Sequence, residues 1–161
     1  MTPEQHLRDV QEWRAVVGKA IVCFGELELI TYQCLAHIPS DQISETSSRL
    51  GFVRRVDLIV EILEGRRPIP EPAENFVSLL KRARTLATVR NDIAHNPVML
   101  NMFRYGDTDD FALKHCIATA RGGRILDLVD AKEFADEVED LAATMWLQIG
   151  KVATGVGGAD A

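Results

Sequence analysis

The segment Arg90-Asn91-Asp92-Ile93-Ala94-His95-Asn96 places a permanent cation and an imidazole five residues apart. A guanidinium cannot shed its charge, whereas histidine exchanges protons near neutral pH. Together they suit chemistry at a phosphate, where one group offsets developing negative charge and the other moves protons. On a helix Asn91 stands one turn before His95 and shares its face, so it can orient the ring, with Asp92 beside it. A second charge in an unexpected place is Glu28. Measured from Phe24 it lies at about +40°, inside the arc of Val17, Leu27, Thr31 and Leu35, so it points at the core. Arg90 repeats the anomaly with the opposite sign, at about −20° from Ala83 among Phe76, Leu79, Leu86, Ala87 and Ala94. An ion inside an apolar arc needs a partner, and the two charges are expected to pair. Two readings of each feature stay open. The pair either fixes the register of two helices or frames an anion-binding cleft, and His95 with Asn96 either acts on a substrate or only ends a helix.

The elements that must position these residues are mainly helical. Thr2-Pro3-Glu4-Gln5 has the form of a capping box with proline at the first helical position. Apolar residues then recur at Val10, Trp13, Val17, Ile21, Phe24, Leu27 and Leu35, predicting one helix of about 50 Å that ends before Pro39. A Ser/Thr/Asp-rich link over 40–48 leads to a second helix through Leu50, Val53, Val56, Leu58, Ile59, Ile62 and Leu63, with Gly65 as its left-handed terminator. The proline-rich loop 66–72 precedes a third helix from about Ala73, which Pro97 closes. From 98 to 128 the pattern becomes strand-like around a polar loop at 106–110. A turn at Gly122-Gly123 and a third short strand at 125–129 follow. Asp130-Ala131-Lys132-Glu133 reads as the capping box of a fourth helix carrying Phe134, Val138, Leu141, Ala142, Met145, Trp146 and Ile149. The expected fold class is mainly α: an antiparallel four-helix bundle with a small β-hairpin insertion between the third and fourth helices. One domain is expected over residues 1–153, with 154–161 as a flexible C-terminal tail.

The 161 residues, 47% hydrophobic and 26% charged, have the composition of an ordinary folded domain. The formal net charge of −6 opposes strong nonspecific nucleic-acid binding. Its distribution matters more than its total. Residues 49–90 hold nine basic groups against five acidic ones, whereas 1–48 hold three against seven and 125–161 two against eight. The basic middle can face an anion, or dock on the acidic flanks. Cys23, Cys34 and Cys116 form no Cys-x-x-Cys pair, so they are expected to be reduced. With no signal-peptide pattern at the start and no long uncharged apolar run, the expectation is a cytoplasmic protein without a membrane span. His6, His37, His95 and His115 lack metal-ligand spacing, so no metal and no cofactor is expected.

The Arg90–Asn96 segment resembles the Arg-x-x-x-x-His signature of the HEPN superfamily, helical-bundle proteins of prokaryotic toxin–antitoxin, abortive-infection and CRISPR-associated systems. In that superfamily a polar residue often follows the arginine, as Asn91 does here, and the motif occurs near the end of a core helix. Phe24-Gly25-Glu26-Leu27-Glu28 is similar to the Phe-x-x-Leu-Glu segment of some members. The resemblance implies a metal-independent endoribonuclease of toxin or defence type, acting as a homodimer whose two motifs meet in a shared cleft. It implies that His95 assists attack by a ribose 2′-hydroxyl or protonates the leaving oxygen, that Arg90 stabilises charge on phosphorus, and that Asn91 orients His95 or the phosphate. Glu28, Asp92 and Asn96 are the supporting residues. RNA, an antitoxin or another partner protein would be its partners. Many superfamily members are inactive modules, so the alternative is a noncatalytic dimeric helical module that binds a partner protein or a nucleotide.

Overall fold

The computed structural model describes residues 2–37, 46–47, 49–65, 69, 71–104, 106, 110–119 and 124–157. The chain is mainly helical: α1 (Pro3–His37), α2 (Phe52–Gly65), α3 (Glu71–His95) and α4 (Leu128–Gly157). Strands β1 (Val98–Arg104), β2 (Phe111–Ala118) and β3 (Ile125–Leu126) lie between α3 and α4 and pair in chain order as an antiparallel sheet. The expected link at 40–48 falls almost wholly outside the described residues, as do most of the proline-rich loop and the Gly122-Gly123 turn.

The start of α1 is the capping box its sequence spells. The Thr2 amide donates to Gln5 Oε1 at 2.8 Å and the Gln5 amide to Thr2 Oγ1 at 3.2 Å. Its buried face is wider than the predicted stripe, and its centre lies on Val16, Ala20, Cys23, Leu27, Ile30 and Cys34, while Val17 and Ile21 are only partly buried. Small Ala20 and Cys23 carry little periodicity signal, yet they sit where a neighbour packs. That neighbour is chiefly α4, with α2 and α3 covering the rest, and α3 packs in turn on α2 and α4. Lys19 clamps α1 to α4 through Asp136 at 2.7 Å and Glu139 at 2.6 Å, and these carboxylates hold its ammonium well above the usual lysine range.

Three boundaries differ from the sequence reading. Gly65 is the last residue of α2 but has no left-handed backbone; among the described residues only Gly106, in the β1–β2 loop, has positive φ, at 56°. The cap of α4 is Asp127, three residues before the expected Asp130. Asp127 Oδ1 accepts from the amides of Val129 and Asp130 at 2.8 and 2.9 Å, and Asp130 Oδ2 accepts from the Asp127 amide at 3.2 Å. Asp130 therefore closes the box rather than opening it, and β3 stops at Leu126 because the next residue is the cap. Finally, α4 runs to Gly157, into the stretch read as tail, while 158–161 lie outside the described residues.

The core joins all these elements. Phe24, Leu27 and Ile30 from α1 meet Ile59 from α2, Phe76 and Leu80 from α3, Ile117 and Leu126 from the sheet, and Val138 and Met145 from α4, all at most 1% exposed. All three cysteines are free and buried. No helix among the described residues is long and apolar enough to cross a membrane.

Candidate anion-binding cleft at Arg90

One turn of α1, from Glu28 to Tyr32, holds two arginines from two other helices. Glu28 Oε1 accepts from Arg90 Nη2 at 3.1 Å. The same pair of side chains keeps 31% and 29% of its surface exposed, so the ions stand at the edge of the core and not sealed inside it. This corrects the expectation of a buried pair: Phe24 covers one side of the guanidinium, its ring centroid 5.4 Å away, and the other side opens onto a cleft. Phe52 supports Phe24 edge-on, at 4.8 Å between centroids.

The second arginine is Arg55, in the first turn of α2, and it is 3% exposed. Its Nε donates to Thr31 Oγ1 at 3.0 Å, and its Nη1 donates to the Leu50 carbonyl. The Thr31 hydroxyl in turn donates to the Glu28 carbonyl at 2.7 Å, and the Arg55 guanidinium lies 3.9 Å above the Tyr32 ring. A buried charge held by hydrogen bonds and an aromatic face keeps its orientation. Its spacing in the sequence already marks it: Arg55, Ile59 and Ile62 fall at i, i+4 and i+7, one face of a helix.

Arg90 and Arg55 line a cleft of about 400 Å³, together with Glu28, Asn91, Phe52 and the exposed Arg54. Arg54 has no ion pair or hydrogen bond with the described residues, and Arg90 Nε is buried without a hydrogen-bond partner among them. Three cations against one carboxylate leave the cleft electropositive in a chain whose total charge is negative. By contrast, Lys81, Arg82 and Arg84 in the same basic stretch are engaged by Glu64, Glu137 and Asp57 at 2.7, 2.6 and 2.7 Å. Within this stretch Lys81, Arg82 and Arg84 thus pair with carboxylates of neighbouring helices away from the cleft, whereas Arg54, Arg55 and Arg90 line it.

Asn91 is part of this cleft but does not orient the histidine: its Oδ1 accepts from Arg90 Nη1 at 3.1 Å. His95 stands in the last turn of α3, exposed and joined to the described residues by no hydrogen bond or ion pair, and it is not in the wall of the cleft. Asp92 lies 3.9 Å from Arg124 Nη1, and its backbone carbonyl accepts from the Asn96 amide at 3.2 Å and Asn96 Nδ2 at 2.9 Å. Asp92 and Asn96 therefore finish the helix, and Asp92 also approaches Arg124, just before β3. The structure brings together Glu28, Arg90 and Asn91, with Phe24, and leaves His95 apart from them. Among the described residues no group of three His, Cys, Asp or Glu side chains is placed to hold a metal ion.

No family model, no curated protein and no solved structure matches this chain.

Proposed function

We propose that the chain is a HEPN-like, metal-independent endoribonuclease of toxin or defence type that works as a homodimer. The observation that carries the reading is the Arg90 cleft: a guanidinium fixed by Glu28 and Asn91, beside Arg54 and Arg55. An RNA phosphate is the anion this geometry fits, because a planar guanidinium already oriented loses little freedom when a phosphate oxygen arrives. Two segments that carry the family resemblance, Phe24–Glu28 and Arg90–His95, meet here through the contacts of Phe24 and Glu28 with Arg90.

On this reading the helices form an antiparallel four-helix bundle, and two copies pair so that each cleft receives His95 from the other copy. His95 would take the proton from a ribose 2′-hydroxyl as it attacks phosphorus, or give one to the leaving 5′-oxygen. Arg90, with Arg54, would offset the charge on the non-bridging oxygens. Internal attack leaves a 2′,3′-cyclic phosphate.

His95 standing outside its own cleft also favours the second reading, a noncatalytic dimeric module that holds a nucleotide or partner protein at Arg90. Cleavage of a mixed RNA pool in EDTA separates the two. The nuclease reading expects cyclic-phosphate ends from wild type and none from His95→Ala at unchanged melting temperature. Equal cleavage by both proteins, or cleavage by neither while RNA still binds, favours the module.

A further inference from the structure

One face of α1 is covered by none of the described residues. Measured from Val22, the residues Gln11, Ala15, Gly18, Gly25 and Leu29 lie between about −60° and +20°, along about 27 Å of helix. All are exposed and none is charged, in a chain whose formal net charge is −6. Arg14, Lys19 and Glu26 stand outside this arc, at about −80°, +60° and +40°. Val22 and Leu29 keep 66% and 46% of their surface exposed, so two large apolar side chains of the strip meet only solvent within the single chain.

Gly18 and Gly25 are the unexpected residues of this face. Glycine in the middle of a helix is destabilising relative to alanine. Nothing within the chain calls for it here: a Cβ built on either would meet no atom within 4 Å beyond the adjoining turns of its own backbone, and neither has positive φ. The glycines leave hollows where Val22 and Leu29 project, and the order Gly18, Val22, Gly25, Leu29 alternates hollow with projection. Helices pack by seating the projections of one in the hollows of the other.

We infer that this face seats the same face of a second copy, antiparallel, with Val22 against the partner's Gly25 and Leu29 against the partner's Gly18. A single register makes both contacts, and each occurs twice across the twofold axis. A parallel pairing would set projection against projection and hollow against hollow. In the antiparallel register the two helices overlap over about 40 Å, and a strip about 10 Å wide buries roughly 800 Å² in total. On α4, Ala143, Trp146 and Leu147 follow Asp136 and Glu139, the partners of Lys19, at i+7 and i+11 and so border the strip. Trp146 and Leu147 are 38% and 77% exposed, and their burial brings the interface to the roughly 1,000 Å² that a specific dimer needs. The absence of charge lets an acidic chain meet its copy here without like-charge repulsion. The inference rests on the homodimer of the proposed function and locates its seam: Glu28, which anchors Arg90, stands on the flank of the same helix, at about −120°, so the cleft opens beside the seam.

The test is sedimentation equilibrium on the full chain at micromolar concentrations, beside circular dichroism. Wild type is expected to be dimeric. Gly25→Val sets valine against valine and should weaken the dimer roughly tenfold or more, with helicity kept or raised because the new side chain faces open space in the single chain. Val22→Gly should weaken it as well. Combining Val22→Gly with Gly25→Val exchanges projection and hollow at the same contact, so the double variant should regain most of the lost affinity. A monomeric wild type would overturn the inference and the dimeric reading together. A Gly25→Val dimer of wild-type affinity, or a double variant in which the two losses simply add, would overturn this seam alone. Dimers that respond as expected and cleave no RNA would support the seam and contradict the nuclease.

Discussion

Arg90 and Arg55 answer the same physical problem in different ways, and the difference predicts how each responds to substitution. Arg90 is about one third exposed and has Glu28 as a charged partner, so water screens part of the attraction. A double-mutant cycle with Arg90→Met and Glu28→Gln, followed by urea denaturation, should give a coupling of about 1 kcal/mol, smaller than for a sealed pair. Arg55 is held inside by neutral groups. Thr31→Val removes the hydroxyl that accepts from its Nε, leaves a buried N–H idle, and should cost about 2 kcal/mol in the same assay. The pairing of Arg90 with Glu28 was legible in the sequence because both lie on long regular helices, where angular position follows from counting. Arg55 was hidden in a run of basic residues at the start of a short helix, where charge drew attention away from periodicity. His115 was hidden for another reason. On an eight-residue strand, the face this buried residue shares with Leu113 and Ile117 is too short a pattern to separate an inward histidine from an outward one without knowing what the sheet rests on.

The helices show where local chemistry decides and where packing decides. The Asp127–Asp130 box fixes the start of α4, and Asp127→Ala should lower stability by about 1 kcal/mol by chemical denaturation, with Asp130→Ala costing less because it satisfies one amide instead of two. Starting at Asp127 brings the partly buried Leu128, which the expected box from Asp130 would have left outside the helix, into α4 ahead of the buried Ala131. On α1, burial pushes the Cys34 thiol up to about 12. The folded state therefore holds the thiol proton more tightly than the unfolded chain. That contribution to stability is complete below the ordinary thiol range and is lost as pH rises toward about 12. Iodoacetamide at pH 8 should leave Cys34 unmodified in the folded chain and alkylate it in denaturant, read by peptide mass; rapid native alkylation would contradict its burial. The β hairpin was legible from its polar loop and glycine, whereas the centre of the α1 face was not, since Ala20 and Cys23 become core only when α4 lies against them.

For the molecule as a whole, the charge pattern along the chain foreshadowed an electropositive region but not its division. Three of its cations are spent on neighbouring helices, and Arg54, Arg55 and Arg90 converge only because α2 and α3 cross the same turn of α1. The position of His95 was the least legible feature: five residues after Arg90 it is exposed and outside the wall of the cleft that Arg90 lines. That separation is intelligible if the cleft of one copy is completed by the histidine of another, which subunit mixing tests. Arg90→Gln and His95→Ala proteins should each be inactive alone on RNA. After they are unfolded together and refolded as a mixture, one site in each mixed dimer would combine an intact Arg90 with an intact His95. Activity should then return to about one quarter of wild type if pairing is random and each intact site works independently. A mixture that forms mixed dimers yet stays as inactive as its two components, beside a wild-type protein that cleaves, would contradict a site shared between subunits.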